Sequence, residues 1–321
     1  MQTTPLGTTG ETVSSLCLGP MLFGTEVDRA TSFDLLDRYY EAGGRFLDTA
    51  NNYATWMEGY DEPQSEPLLG EWLNERGVRE EMTIASKLGF NFGETPQSLA
   101  PDVIEGEIAG SLDRLGIDQL DLLYAHVDDF DTPQAETMRA FQRAVDAGTV
   151  RHLGASNFLG WRLARANRIA EEQGLTPYQC VQPRFSYYAP NRGADFGGQV
   201  QGTDELLSYA DHEDLTVLPY SPTLSGCYGR DDRGIPEGYV NTENRVKRDI
   251  VEEIADEKAL NGNQVVLAWL LDREQPTVPV IGVSTLEQLD QNIAALDVDF
   301  TKDERRRLDS VETMGIYPWR N

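Results

Sequence analysis

The sequence predicts an α/β fold, a (β/α)8 TIM barrel with an N-terminal β-hairpin and an extra C-terminal helix. Three observations predict it. Short apolar runs alternate with helix-like stretches eight times along the chain, and such alternation favours a parallel sheet. No linker or composition break interrupts them, so residues 1–321 read as one domain. Three consecutive runs each end in an ionisable residue: Arg45-Phe46-Leu47 in Asp48, residues 82–86 in Lys87, and residues 120–125 in His126. Barrel enzymes carry their working side chains at the C-terminal ends of strands.

Residues 1–12 read as a small hairpin with turns at Gly7 and Gly10, placed to plug the base of the barrel. Residues 13–18 alternate toward a first barrel strand, closed by Gly19-Pro20. Helical spacing over 33–42 stops at Gly43-Gly44. The second strand runs to Asp48, and a loop carries Tyr53 back over its open end. Residues 65–75 read as a helix, 82–86 as strand three, and 101–115 as a helix with Pro101 at its start. Strand four covers 120–125. The helix 133–147 stops at Gly148, and strand five covers 150–155. A helix at 160–173, strand six at 178–182, a short helix at 203–211 and strand seven at 215–219 follow. The loop 222–242 is long, and loops of that length are usually functional or disordered. Helices at 246–260 and 263–273 precede strand eight, 278–281, and its helix, 285–296. Thr301 with Glu304 marks a capping box for the last helix.

Charge narrows the function classes. The net charge is −27, and lysine occurs only at positions 87, 247, 258 and 302. Acidic residues are spread along the chain, and a nucleic-acid partner would need a basic patch instead. An evenly acidic, lysine-poor surface suits a cytoplasm of very high salt, where self-repulsion is screened. No stretch approaches the ~20 apolar residues of a membrane span. Residues 1–5 lack the basic-then-apolar pattern of a secretory signal, so a cytoplasmic location is expected. Cys17, Cys180 and Cys227 are far apart and odd in number, which reads as free thiols in a reducing compartment. His126, His152 and His212 lack metal-ligand spacing, so no metal is expected. No G-x-G-x-x-G follows a strand, which disfavours a Rossmann dehydrogenase.

A buried Asp48 is costly without a partner, and Lys87 is the candidate to pair with it. In order and spacing, Asp48, Tyr53, Lys87 and His126 resemble the catalytic tetrad of the aldo-keto reductases. The resemblance implies hydride transfer between a nicotinamide cofactor, NADP or possibly NAD, and a carbonyl. In that chemistry Tyr53 is the general acid, Lys87 a cation that lowers its pKa, and Asp48 the anchor of Lys87. His126 orients the carbonyl oxygen. Singly, each residue has a commoner structural use; four at successive strand ends do not.

The resemblance extends over nearly the whole chain. Leu18-Gly19 with Phe23-Gly24 is similar to the family's first strand and turn, and residues 68–73 to the helix after the tyrosine. Gly154-Ala155-Ser156-Asn157-Phe158 resembles the segment whose Ser156 and Asn157 hold the nicotinamide carboxamide, and Gln182 matches a glutamine with the same task. Tyr220-Ser221-Pro222 resembles the segment whose aromatic stacks on the nicotinamide. Ser284, Thr285, Gln288, Gln291 and Asn292 resemble the adenosine-phosphate site, where a helix start suits phosphate. Here the chain departs from the family: Gly282 and Gln288 stand where many members carry the Lys and Arg that clamp a 2′-phosphate. Phe23, Trp56, Tyr60, Phe90, Phe92, Phe185, Tyr187, Tyr188, Tyr317 and Trp319 are candidates to wall a substrate pocket, widened where Val127 replaces a bulky ring. Asp61, Glu62, Asp128 and Asp129 add polarity suited to a sugar-like carbonyl substrate. Two competing functions share these features: a cofactor-binding regulatory or adaptor protein, and an isomerase or aldolase using Lys87 as a Schiff base. The oligomeric state is not legible.

Overall fold

The computed structural model describes residues 1–91, 93, 95–230 and 232–310. An antiparallel hairpin of β1 (Thr3–Pro5) and β2 (Thr12–Ser14) comes first. Eight parallel strands follow: β3 (Cys17–Leu18), β4 (Phe46–Asp48), β5 (Thr83–Leu88), β6 (Leu120–Ala125), β7 (Val150–Ser156), β8 (Tyr178–Gln182), β9 (Thr216–Val217) and β10 (Val280–Ile281). Their order in the sheet is β10-β3-β4-β5-β6-β7-β8-β9. Bridges at Val217–Thr277 and Tyr220–Val280 join the two ends, so the sheet curls shut into the expected barrel. Val278 N–H donates to Val217 O at 2.8 Å and Val280 N–H to Pro219 O at 2.9 Å across that seam.

The helices are α1 (Arg29–Glu41), α2 (Ser65–Arg76), α3 (Pro101–Leu115), α4 (Gln134–Asp146), α5 (Gly160–Gln173), α6 (Asp204–His212), α7 (Thr242–Lys258), α8 (Gly262–Leu271), α9 (Leu286–Ala294) and α10 (Lys302–Asp309). Six of the ten helices among the described residues, α1 and α6 to α10, start where a side chain satisfies one of the first free N–H groups. Asp28 caps α1 and Asn241 caps α7, which puts both starts four residues earlier than apolar spacing alone predicts. Thr301 and Glu304 form the expected capping box of α10. Among the described residues no helix is long and apolar enough to cross a membrane.

Four strand expectations need correction. Val13 and Ser14 belong to the hairpin, because they pair with Thr4 and Thr3, and the first barrel strand shrinks to Cys17–Leu18. Strand three extends past Lys87 to Leu88. Strands seven and eight contract to two residues each, since Pro219, Pro276 and Pro279 have no N–H to give a ladder.

The hairpin seals the end of the barrel where the strands begin. Gly7 N–H donates to Thr216 Oγ1 at 2.7 Å, and Thr8 donates through N–H and Oγ1 to Gln179 Oε1 at 3.0 and 2.9 Å. Gly7 has φ +52°, and a Cβ there would stand 2.2 Å from Gln179 O, so the turn requires glycine. Leu6 and Val13 of the hairpin pack with Cys17, Phe46, Ala85, Leu122 and other inward residues of the barrel. The larger apolar layer lies outside, between strands and helices.

Candidate functional site

β4, β5 and β6 lie side by side, and their ends deliver Asp48, Lys87 and His126 to one mouth. Asp48 Cα pairs in register with Ala85, and Lys87 with Tyr124. The Lys87 ammonium donates to Asp48 Oδ1, to Thr49 O at 2.8 Å and to Tyr53 Oη at 2.8 Å. Neither charged side chain of the Lys87–Asp48 pair is exposed. Gln182 Nε2 donates to the other Asp48 oxygen at 2.9 Å. This network removes the cost of burying two charges without partners. The Thr49 carbonyl had no sequence signal, because every residue type supplies one.

Burial opposes the charge on Lys87, but Asp48, Tyr53 and their hydrogen bonds outweigh it and raise its pKa. Burial also pushes the Tyr53 phenol up. Lys87 pulls it down through charge and hydrogen bond, Asp48 pushes it up again, and the sum is upward. The expected pull of Lys87 is there, yet burial exceeds it, so the phenol keeps its proton at neutral pH. Burial first, and the Lys87 charge second, hold His126 well below its ordinary value. Its ring is therefore neutral. It stands 6.1 Å from the Tyr53 ring and 4.7 Å edge-on from Phe90, and its buried Nδ1 has no hydrogen-bond partner among the described residues.

The next strand ends form a continuous row. Ser156 Oγ donates to Gln182 O at 2.9 Å. Asn157, at φ +55°, donates to His126 O at 2.9 Å and accepts from Tyr220 Oη at 2.8 Å. Ser221, at φ +53°, turns the chain after Tyr220. Tyr220 bridges to Val280, and that strand leads to the second group. There Thr285 caps α9 by accepting from Gln288 N at 3.2 Å. Gln288 folds back, and its Oε1 accepts from Ser284 N at 2.9 Å and Ser284 Oγ at 3.2 Å. Gln291 accepts from Asn261 Nδ2 at 3.1 Å and donates to Glu287 at 3.2 Å. Asn292 lies half-buried on α9. A side chain at Gly282 would meet nothing within 4 Å. The start of α9, with Ser284 and Thr285 exposed and Gln288 half-buried, is thus an open rim, unlike the enclosed ammonium.

Several expected pocket residues have other employment. Asp128 takes a bidentate pair from Arg162 at 2.6 and 2.7 Å, and both are buried. Asp129 accepts from the N–H groups of Leu99, Asp131 and Thr132. Their carboxylates are therefore structural, and the polar lining expected of a sugar-like substrate loses its two nearest members. Phe23 is in the core, while Phe185, Tyr187 and Tyr188 pack in an apolar cluster around α7 and α8. Trp56 is 56% exposed and edge-on to Tyr53 at 6.1 Å. Phe92, Tyr317 and Trp319 lie outside the described residues. The three cysteines are free and buried.

The fold and this mouth define a closed (β/α)8 barrel carrying a buried carboxylate–ammonium–phenol chain at the ends of its strands. The chain belongs to the aldo/keto reductase family, whose model matches residues 15–313, and it is an oxidoreductase of that family. It is 34% identical to norsolorinic acid reductase stcV of Emericella nidulans, over 92% of this chain and 77% of that protein. It is 30% identical to the uncharacterized oxidoreductase YrpG of Bacillus subtilis, over 99% of this chain and all (100%) of that protein. An aryl-alcohol dehydrogenase [NADP(+)] of Phanerodontia chrysosporium is 26% identical, over 96% of this chain and 85% of that protein.

Proposed function

We propose that this protein reduces an aldehyde or ketone to an alcohol with a nicotinamide cofactor, or runs the reverse oxidation. The observation that carries the reading is the Lys87 ammonium, enclosed between Asp48 and the Tyr53 hydroxyl at the barrel mouth. Tyr53 gives its proton to the carbonyl oxygen. The raised phenol pKa keeps that proton available, and Lys87 stabilises the phenolate left behind. Neutral His126 offers an N–H toward the same oxygen without adding a charge. Asp48, with Gln182 behind it, fixes Lys87.

The donor set suits the cofactor. Ser156, Asn157 and Gln182 present amide-matching groups in one bonded row, Tyr220 supplies a half-buried ring, and the α9 start suits phosphate. The bound cofactor supplies or accepts the hydride. No cation stands at 282 or 288, so NADP use rests on the hydroxyls and N–H groups of Ser284 and Thr285, and NAD is served as well. The name of one relative points to aryl alcohols, and the Trp56 and Phe90 rings flanking Tyr53 and His126 support an aryl carbonyl as substrate. The residues form one domain, and the even acidity of the chain supports work in a high-salt cytoplasm. A Schiff-base role needs an uncharged amine, which the raised Lys87 pKa opposes.

Initial rates with NADPH and NADH against a panel of aryl aldehydes test the reading. Tyr53→Phe is expected to lower turnover about 10²–10⁴-fold and leave cofactor affinity unchanged. Undiminished turnover in that variant would remove Tyr53 as the acid.

A further inference from the structure

One buried carboxylate outside the mouth lies between its two halves. Glu107, on α3, is 8% exposed. Its Oε2 accepts from Gly89 N–H at 3.0 Å. Gly89 follows Lys87 by two residues and has φ +103°; a Cβ there would stand 2.6 Å from Leu99 Cδ2. This is the point where β5 turns out of the barrel. On one side of it Leu88 O accepts from His126 N–H at 2.8 Å, and on the other Phe90 packs against the His126 ring.

The second Glu107 oxygen, Oε1, is buried and closes no hydrogen bond of ordinary geometry, and neither does the amide of Asn51. The two groups are nonetheless close enough for Asn51 to help hold the carboxyl down against burial, which pushes it up. Asn51 N–H donates to Lys87 O at 3.1 Å, and Tyr53 follows two residues later. Glu107 thus bonds the strand that carries Lys87 and lies close to Asn51, on the loop that carries Tyr53. Ser86, Glu66 and Arg114 continue this polar layer behind β5: Ser86 Oγ donates to Glu66 at 2.5 Å, and Arg114 to Glu66 at 2.7 Å.

We propose that Glu107 is a positioning residue that couples the β5 end to the Tyr53 loop and so holds the phenol in register with the Lys87 ammonium. Its effect on turnover rests on the reductase reading above. Displacing a reacting group by about 1 Å costs on the order of 10²-fold in rate, so a residue that never touches substrate can govern kcat.

The test compares wild type with Glu107→Ala, Glu107→Gln and Asn51→Ala. It measures kcat and KM for benzaldehyde with NADPH, NADPH affinity by fluorescence, and the alkaline ultraviolet titration of Tyr53, read as the difference from Tyr53→Phe. Glu107→Ala is expected to lower kcat roughly 10–100-fold, leave NADPH affinity within about twofold, and shift the Tyr53 titration upward as the phenol leaves its cation. Glu107→Gln keeps an acceptor for Gly89 N–H and is expected to restore most of kcat and the wild-type titration. Asn51→Ala, which leaves the Gly89 bond in place, is expected to repeat the Glu107→Ala shift, and it serves if the latter does not fold. An unmoved Tyr53 titration in both alanine variants overturns the proposal, whether or not the wild type turns over. A lowered kcat that Glu107→Gln does not restore also overturns it. A moved titration in a chain without turnover supports the coupling and sinks the reductase reading alone.

Discussion

The barrel mouth and the α9 rim are both built at strand ends, yet they are finished differently. At the mouth, Lys87, Asp48, Tyr53 and Gln182 satisfy one another, and the charged pair is closed to solvent. At the rim, Ser284, Thr285 and Gln288 satisfy one another too, but they carry no charge and stand half-buried or exposed. The contrast teaches what burial imposes. A buried charge dictates its partners, so the mouth has little freedom to vary. An exposed helix start is satisfied by water or by a nearby amide, so the rim is free to trade a cation for Gln288.

Three measurements break or sharpen that contrast. The largest effect belongs to the mouth. Asp48→Ala leaves the Lys87 ammonium buried without its counter-charge, and chemical denaturation is expected to show a loss of ~3–5 kcal/mol. A loss under 1 kcal/mol would mean that the mouth behaves like a surface pair and that the contrast is false. The rim is expected to respond to gain instead of loss. Gln288→Arg places a cation at the α9 start, and a charge-assisted bond to a 2′-phosphate should favour NADPH over NADH by about tenfold in kcat/KM. An unchanged ratio would detach the rim from cofactor choice. Salt gives the smallest and most general effect. Multimolar KCl screens exposed carboxylates and leaves the enclosed pair alone. The melting temperature of the wild type should rise with KCl, while the stability gap to Asp48→Ala stays constant. A melting temperature independent of KCl would count against a high-salt origin.

The same contrast explains what the sequence disclosed. Asp48, Lys87 and His126 were legible because each ends an apolar run, and an ionisable residue there needs a reason. The barrel was legible from alternation and from stop signals such as Gly43-Gly44 and Gly148. The cap at Asp28 was overlooked because the apolar spacing starts only at Phe33. The hairpin boundary was misread because residues 13 and 14 alternate equally well for an antiparallel partner and a parallel one. Asp128 and Asp129 were misassigned because their partners, Arg162 and the Leu99 N–H, are far away in sequence. Glu107 gave no signal at all. A glutamate within a helix looks like a solvated one until β5 is seen behind it.

The seal at the barrel base has a consequence for how the molecule is made. Its tie from Gly7 to Thr216 spans 209 positions and its tie from Thr8 to Gln179 spans 171. During synthesis, the hairpin leaves the ribosome long before its anchorage exists. Leu6 and Val13 must wait, unsheltered, until most of the barrel has been translated. Crowding and chaperones therefore act hardest on this hairpin, and assembly finishes at a segment made well before its anchors.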